Sequence, residues 1–464
     1  MEKARKLGLV LKVAGVLAVV ALFATWGTVG LAQSSDNVRA LLTVTDTSAA
    51  ALQRLAAFGR VDFVFPQIGV VAIETKPDNL RPGSALRSLS FVTRVERDKQ
   101  VVKHSHTGRM AWDQDIIDVE LAHPGGGTVV ADGSGVFVAV LDTGLVPNWR
   151  DYFPEDRIAT ALGRAFHTPI QGTPGSGAYD SDTDGHGTHV TSTILGYNLY
   201  TLARFEGTAP NATVIPVKVL GNQGWGWESS VIAGILYVAD LKQRSVIGPT
   251  VINMSLGSAE PSFAELAAIR YAISQGVLVV ASAGNEGEEG MAYPGAYPDV
   301  ISVGAAGWVE EWYPDRGWWQ RDVPEDITAD RVYVTDFSSR ERPGQELDVL
   351  APGSWVVGPY LYYGAARPPY WAQGVPGQYY FLGGTSMASP HVAGTAALML
   401  QVKPNLTQQE AQAILRATAL PIPPGSAQIK TPWGTTETVS WGAGATGYGL
   451  IQTDAAVEAA AATP

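Results

Sequence analysis

Hydrophobic positions gather into short, nearly continuous runs beyond the first hundred residues of this chain, at Val136–Leu141, Thr213–Leu220, Thr250–Met254, Gly276–Ala281 and Val300–Val303. Valine, isoleucine and leucine without polar alternation predict strands buried on both faces, as in a parallel sheet covered by helices. Helical patterns lie between the runs, over Trp227–Gln243 and Phe263–Ser274, and again at Met387–Leu400 and Thr407–Ala417. The chain therefore reads as α/β. In an open parallel sheet ligands bind beyond the carboxyl ends of the strands. Asp142, Ser255 and Asn285 each follow a predicted strand end, so three separated segments meet at one edge.

The first hundred residues follow another order. From Asn37 to Val102 the pattern predicts a strand (Val38–Thr45), a helix (Ser48–Phe58), two strands (Val61–Phe65 and Gly69–Glu74), a helix (Pro82–Leu89) and a last strand (Val92–Val102). This βαββαβ order is that of a small ferredoxin-like α+β domain. Ahead of it, Lys3, Arg5, Lys6 and Lys12 precede an uncharged run, Val13–Ala32, closed by Gly30-Leu31-Ala32. A basic start, an apolar centre and small residues read as an export signal over residues 1–32. The same run is long enough to span a bilayer, so a membrane enters only if the segment stays uncleaved. Either way, the rest of the chain is expected outside the cytoplasm.

Composition narrows the partners. A chain of 464 residues with 46% hydrophobic and 16% charged positions can bury an ample core. A net charge of −12 without a visible cationic cluster argues against nucleic acid as a partner. With no cysteine, disulfides, thiolate nucleophiles and cysteine-ligated zinc are all ruled out.

Four segments carry the chemistry: VAVLDTGL (Val138–Leu145), DGHGTHV (Asp184–Val190), ASAGN (Ala281–Asn285) and GGTSMASPHVAG (Gly383–Gly394). They supply a carboxylate, an imidazole, a side-chain amide and a hydroxyl on a glycine-rich turn, a set suited to acyl transfer. A serine is a poor nucleophile until a base takes its proton, and that imidazole needs a partner to fix its tautomer. The order Asp, His, Ser is the one found in subtilisin. From about residue 33 to the C-terminus the chain resembles the subtilases, the subtilisin-like serine endopeptidases.

The resemblance implies a subtilisin-like parallel β-sheet flanked by helices over residues 108–464, preceded by a propeptide at 33–107 that serves as intramolecular inhibitor. The polar stretch Lys103–Gly108 is the natural place for the cut. It further implies a secreted serine endopeptidase acting on polypeptides through an acyl-enzyme, self-processed from a zymogen, with no cofactor required. Ser386 is the expected nucleophile, at a helix N-terminus supported by Pro390. Spacing alone does not choose between His186 and His189, but the family's HGTHV pattern places the base at His186, oriented by Asp142. Asn285 matches the oxyanion donor, a group whose loss costs roughly 10²- to 10³-fold in rate.

Ser255, Leu256 and Gly257, with Ser282, Ala283 and Gly284, match the edges that bind an extended substrate by strand addition. Gly257 and Gly284 are expected to leave a side-chain pocket open, Glu286 to rim it, and Ala292 to shorten it. Calcium is expected at most as a structural ion, with Asp151 as a ligand completed from Gly196–Gly207, or alternatively near Asp180, Asp182 and Asp184. The chain departs from the family in two respects. Thr191-Ser192 replaces the usual Ala-Gly after HGTHV, which predicts a different neighbour for that helix. Insertions rich in tryptophan and tyrosine fall near 307–334 and 354–381, and are read as long loops packed by their own aromatics.

Overall fold

The computed structural model describes residues 37–66, 69–97, 111–123, 128–167, 178–199, 203–312, 323–324, 327–361, 379–431 and 434–463. They divide into two compact units on either side of Lys103 and His104. The apolar run Val13–Ala32, the stretch Lys103–Gly108 and Trp318, Trp319 and Trp371 lie outside the described residues. Among the described residues no helix is long and apolar enough to cross a membrane.

The N-terminal unit is an antiparallel sheet of β1 (Val38–Val44), β2 (Gly59–Phe65), β3 (Val70–Thr75) and β4 (Val92–Arg97), in the order β2-β3-β1-β4. One helix, α1 (Ala49–Ala56), is capped by Ser48 and buries Ala51 and Leu55 against the sheet's apolar face. The helix predicted over Pro82–Leu89 does not form. Gly83 holds φ +80°, a left-handed conformation that a helix interior excludes, and the segment runs as successive turns instead.

The C-terminal unit is built on an eight-stranded, mainly parallel sheet. Its strands are β5 (Phe137–Asp142), β6 (Arg164–Ala165), β9 (Thr213–Lys218), β10 (Thr250–Met254), β11 (Val277–Ser282), β12 (Ile301–Trp308), β13 (Val332–Val334) and β14 (Val349–Pro352). They run in the order β13-β12-β11-β10-β5-β9-β6, with β14 paired to β12 and only β13 antiparallel. Burial alternates along each central strand. Val138, Val140, Val251, Leu278 and Val280 enter one core, and Ala139, Leu141, Ile252, Val279 and Ala281 the other. Two cores are filled at once, which is why these strands are mostly apolar.

Helices α2 (His186–Leu195) and α5 (Thr385–Val402) cover the first face, and α3 (Glu228–Gln243) and α4 (Phe263–Ser274) the second. Helix α6 (Gln408–Thr418) opens with a capping box between Thr407 and Glu410, and α7 (Thr453–Ala462) closes the chain. Three two-stranded ribbons complete the unit: β7 (Gly196–Leu199) with β8 (Ala203–Glu206), β15 (Val356–Pro359) with β16 (Tyr379–Leu382), and β17 (Gly425–Lys430) with β18 (Thr436–Trp441). The stems of the two aromatic insertions meet, Trp312 lying 5.9 Å from Trp355 and 4.8 Å from Phe381 between ring centroids.

Candidate active site

Asp142 is the last residue of β5 and is fully buried; His186 is the first of α2. Imidazole Nδ1 lies 2.8 Å from Asp142 Oδ1 and 3.0 Å from Oδ2, and the carboxylate also accepts the Thr143 N–H at 2.6 Å. Nδ1 therefore carries the proton toward the carboxylate, and Nε2 is left with its lone pair. Burial, the largest influence on His186, disfavours its cation, but the Asp142 carboxylate, helped by Asp184 and Asp182, lifts its pKa above the ordinary 6.5.

A second carboxylate locks strand to helix. Asp182, fully buried, accepts the Thr143 hydroxyl at 2.8 Å and the N–H groups of Asp184 and Gly185 at 2.9 and 2.8 Å, while Thr143 Oγ1 accepts the Gly187 N–H at 2.9 Å. Lys218 donates to the Thr143 carbonyl and stands 4.0 Å from Asp182. Gly185 is required by its φ of +97° and because a Cβ there would meet the Leu361 backbone nitrogen at 2.5 Å.

Ser386 is the second residue of α5 and half-buried. Pro390 lies four residues on and has no N–H to give the Ser386 carbonyl. Ser255 Oγ fills that role at 2.8 Å; Asn253 Nδ2 in turn donates to Ser255 Oγ at 3.1 Å, and Ser389 Oγ to Asn253 Oδ1 at 2.7 Å. The Ser386 hydroxyl donates to the Ser255 carbonyl at 3.2 Å. Ser386 and His186 line one cleft, together with Ser255, Leu256 and Gly257.

Asn285 follows β11. Its Oδ1 accepts the Thr385 N–H at 2.9 Å and hydroxyl at 3.0 Å, which fixes the amide with Nδ2 outward. A Cβ on Gly384 would stand 3.6 Å from Ser386 N and 3.7 Å from Asn285 Nδ2, so two donors flank one point beside the serine. Such a pair matches what a developing oxyanion needs.

The edges Ser255–Gly257 and Ser282–Gly284 approach each other through Ala292. Its methyl would lie 2.9 Å from a Cβ on Gly257 and 3.0 Å from one on Gly284. Ala292 therefore stands between those glycines, the position expected to shorten the pocket. Glu286 stands beside Gly284, where a Cβ would meet its Oε2 at 2.5 Å, and that oxygen accepts the Asn285 N–H at 2.7 Å and the Ser339 hydroxyl at 3.2 Å.

Asp151 is exposed, and its carboxylate accepts from the Asn148 amide at 3.0 Å. Among the described residues no group of three or more histidine, aspartate or glutamate side chains converges as a metal set. Asp182 is taken up by the hydrogen bonds above.

His189 is packed, its Nε2 lying 3.1 Å from the Val356 carbonyl. The neighbour that Thr191-Ser192 selects is Gly358 of β15, where a Cβ would meet Ser192 Oγ at 2.4 Å. Sequence reasoning missed three parts of the cleft wall: Trp225, Trp227 and Glu265. The first two were signalled by tryptophans in the glycine-rich stretch before α3, and the third by an acid on the inward face of α4.

Sheet, site and spacing match those of a serine hydrolase, with the candidate groups at the carboxyl edge of a parallel sheet. The chain belongs to the subtilase family, peptidase S8, whose model matches residues 133–449, and it is a serine endopeptidase of that family with the subtilisin-like α/β fold. It is 33% identical to the alkaline protease of Alkalihalobacillus alcalophilus over 356 residues, 76% of this chain and 75% of that protein. It is 32% identical to the extracellular serine proteinase of Thermus sp. (strain Rt41A) over 377 residues, 80% and 77% of the two chains. Among solved structures, Sphericase aligns at a TM-score of 0.53 and 28% identity, over 75% of this chain and 99% of its own.

Proposed function

We propose that this protein is a secreted endopeptidase that cleaves polypeptides by Ser386 acylation and matures by cutting off residues 33–107. Ser386 Oγ attacks the scissile carbonyl carbon while its proton passes to His186 Nε2. The resulting oxyanion is held by Ser386 N–H and Asn285 Nδ2. Collapse breaks the C–N bond, the amine leaves with the proton from His186, and water repeats the sequence on the acyl-enzyme. The observation that carries this reading is the His186 imidazole held by Asp142 at 2.8 Å in the cleft that Ser386 lines.

For this step the serine hydroxyl turns from the Ser255 carbonyl to His186, a tightening expected when substrate binds. Export is supported by the basic and apolar start of the chain and by the extracellular proteinase among its relatives. A cut within Lys103–Gly108 would leave Asp113 in the mature enzyme, its Oδ2 3.1 Å from His391 Nε2 on α5, so the new N-terminal segment stays tied to the nucleophile's helix.

The test is casein hydrolysis by the purified protein and by Ser386→Ala. Loss on the order of 10⁶-fold in kcat, with the variant accumulating as uncut precursor, is the expected result. Unchanged turnover would overturn the assignment; hydrolysis of simple esters but not of peptides would make the protein an esterase; and full trimming of the variant with no other protease present would remove self-processing.

A further inference from the structure

The cleft of about 430 Å³ that holds Ser386 and His186 has a second end of a different character, walled by Trp225, Trp227, Glu228, Val231, Leu256 and Glu265. Glu265 is the third residue of α4 and only 4% exposed, yet it lines this cleft. Glu228 is the first residue of α3. Ser262 joins them, its Oγ donating to the Glu228 carboxylate and accepting the Glu265 N–H at 3.3 Å.

Glu265 has little to offset its burial. The Tyr297 hydroxyl hydrogen-bonds to it, but that single proton is shared with the Ser262 carbonyl at 2.9 Å, and the phenol oxygen accepts the Ser262 N–H at 2.6 Å. Among the described residues no ion pair neutralises Glu265. A carboxylate taken out of water without a partner is costly, and a cation delivered into the pocket reverses that cost. Burial first, then the charge of Glu228, pushes its pKa up to about 7.

The remaining walls suit a long cationic side chain. Trp225 and Trp227 are 52% and 64% exposed with rings 5.9 Å apart, offering aromatic faces to a cation. Val231 and Leu256 offer aliphatic surface to a methylene stem. Along an extended peptide, alternate side chains turn to the same side. One of them therefore enters this pocket while the scissile bond lies at Ser386.

We propose that Glu265, with Glu228, makes this enzyme select polypeptides carrying lysine or arginine at one position removed from the scissile bond. The inference rests on the proteolytic reading above and adds the substrate class to it. The titratable groups facing Glu265 are Glu228 at the start of α3 and Tyr297 in the loop after β11. Because the carboxylate form attracts the cation, the ratio of kcat/KM for a basic over a leucine-bearing peptide rises as pH passes upward through about 7. Taking the ratio cancels the titration of His186, which both substrates share.

The experiment is a positional-scanning library of fluorogenic peptides cleaved by the mature wild type, Glu265→Gln and Glu265→Leu. The wild type is expected to favour Lys and Arg over Leu by at least about 10-fold at one position other than the residue whose carbonyl is attacked. Glu265→Gln, close in shape, should lose most of that preference, and Glu265→Leu should turn it toward leucine. Cleavage without a cationic preference at any such position, or a preference that survives Glu265→Gln, overturns the inference and leaves the protease reading intact. A library that is not cleaved at all overturns both.

Discussion

Asp142 and Glu265 are both carboxyl groups withdrawn from water in the same unit of the fold, 0% and 4% exposed, and what faces each is opposite. Asp142 receives the Thr143 N–H and the His186 imidazole, with the Thr143, Asp182 and Lys218 network fixing both elements behind it. Glu265 faces another carboxylate and a phenol whose single proton it shares with the Ser262 carbonyl. Burial alone favours the neutral acid, as at Glu265. One end of the cleft is thus complete before substrate arrives. On the proposal above, the other is completed by the substrate's own charge.

The contrast can be broken at either end. Asp142→Asn keeps the shape but offers His186 an amide, which favours the wrong tautomer; kcat should fall about 10⁴-fold with KM little changed, measured on a neutral peptide. A fall of less than about tenfold would mean that the pair does not orient the base. At the other end the effect is smaller and appears in stability. Glu265 binds its proton more tightly in the folded state, with a pKa of about 7 against an ordinary 4.5. Stability then falls as pH rises from 4.5 to about 7 and levels off above it. The loss is about 3 kcal/mol at most. Glu265→Gln should remove that component from a series of denaturant titrations across this range, and a curve identical to wild type would deny Glu265 its raised pKa.

Much of this architecture is legible in the residues. The strands Thr250–Met254 and Phe137–Asp142 are largely apolar because both faces are covered, and Phe263–Ser274 matches its helix end to end. The ribbon β17–β18 was not legible, since Gly425–Lys430 and Thr436–Trp441 are largely exposed and carry few apolar residues to mark a period. The absent helix at Pro82–Leu89 turned on one backbone angle, at Gly83.

At the site, the motifs pointed to Asp142, His186, Asn285 and Ser386 as candidates but could not reveal long-range pairings. Asp182 read as a solvated or metal-binding acid until its contacts with Thr143 and Gly185 placed it beneath the base. Glu286, adjacent in sequence to Asn285, read as a pocket residue, whereas the carboxyl group that lines the cleft comes from Glu265 on another element. Adjacency along the chain does not give direction in space.

The central claim is that Ser386 is the activated nucleophile of this cleft. Its most direct test is to label the mature protein with a fluorophosphonate and map the adduct by tandem mass spectrometry. The account predicts a single adduct, on Ser386, that disappears in Ser386→Ala and forms far more slowly in Asp142→Asn. Full casein-degrading activity with no adduct, or with the adduct on another residue, would contradict it.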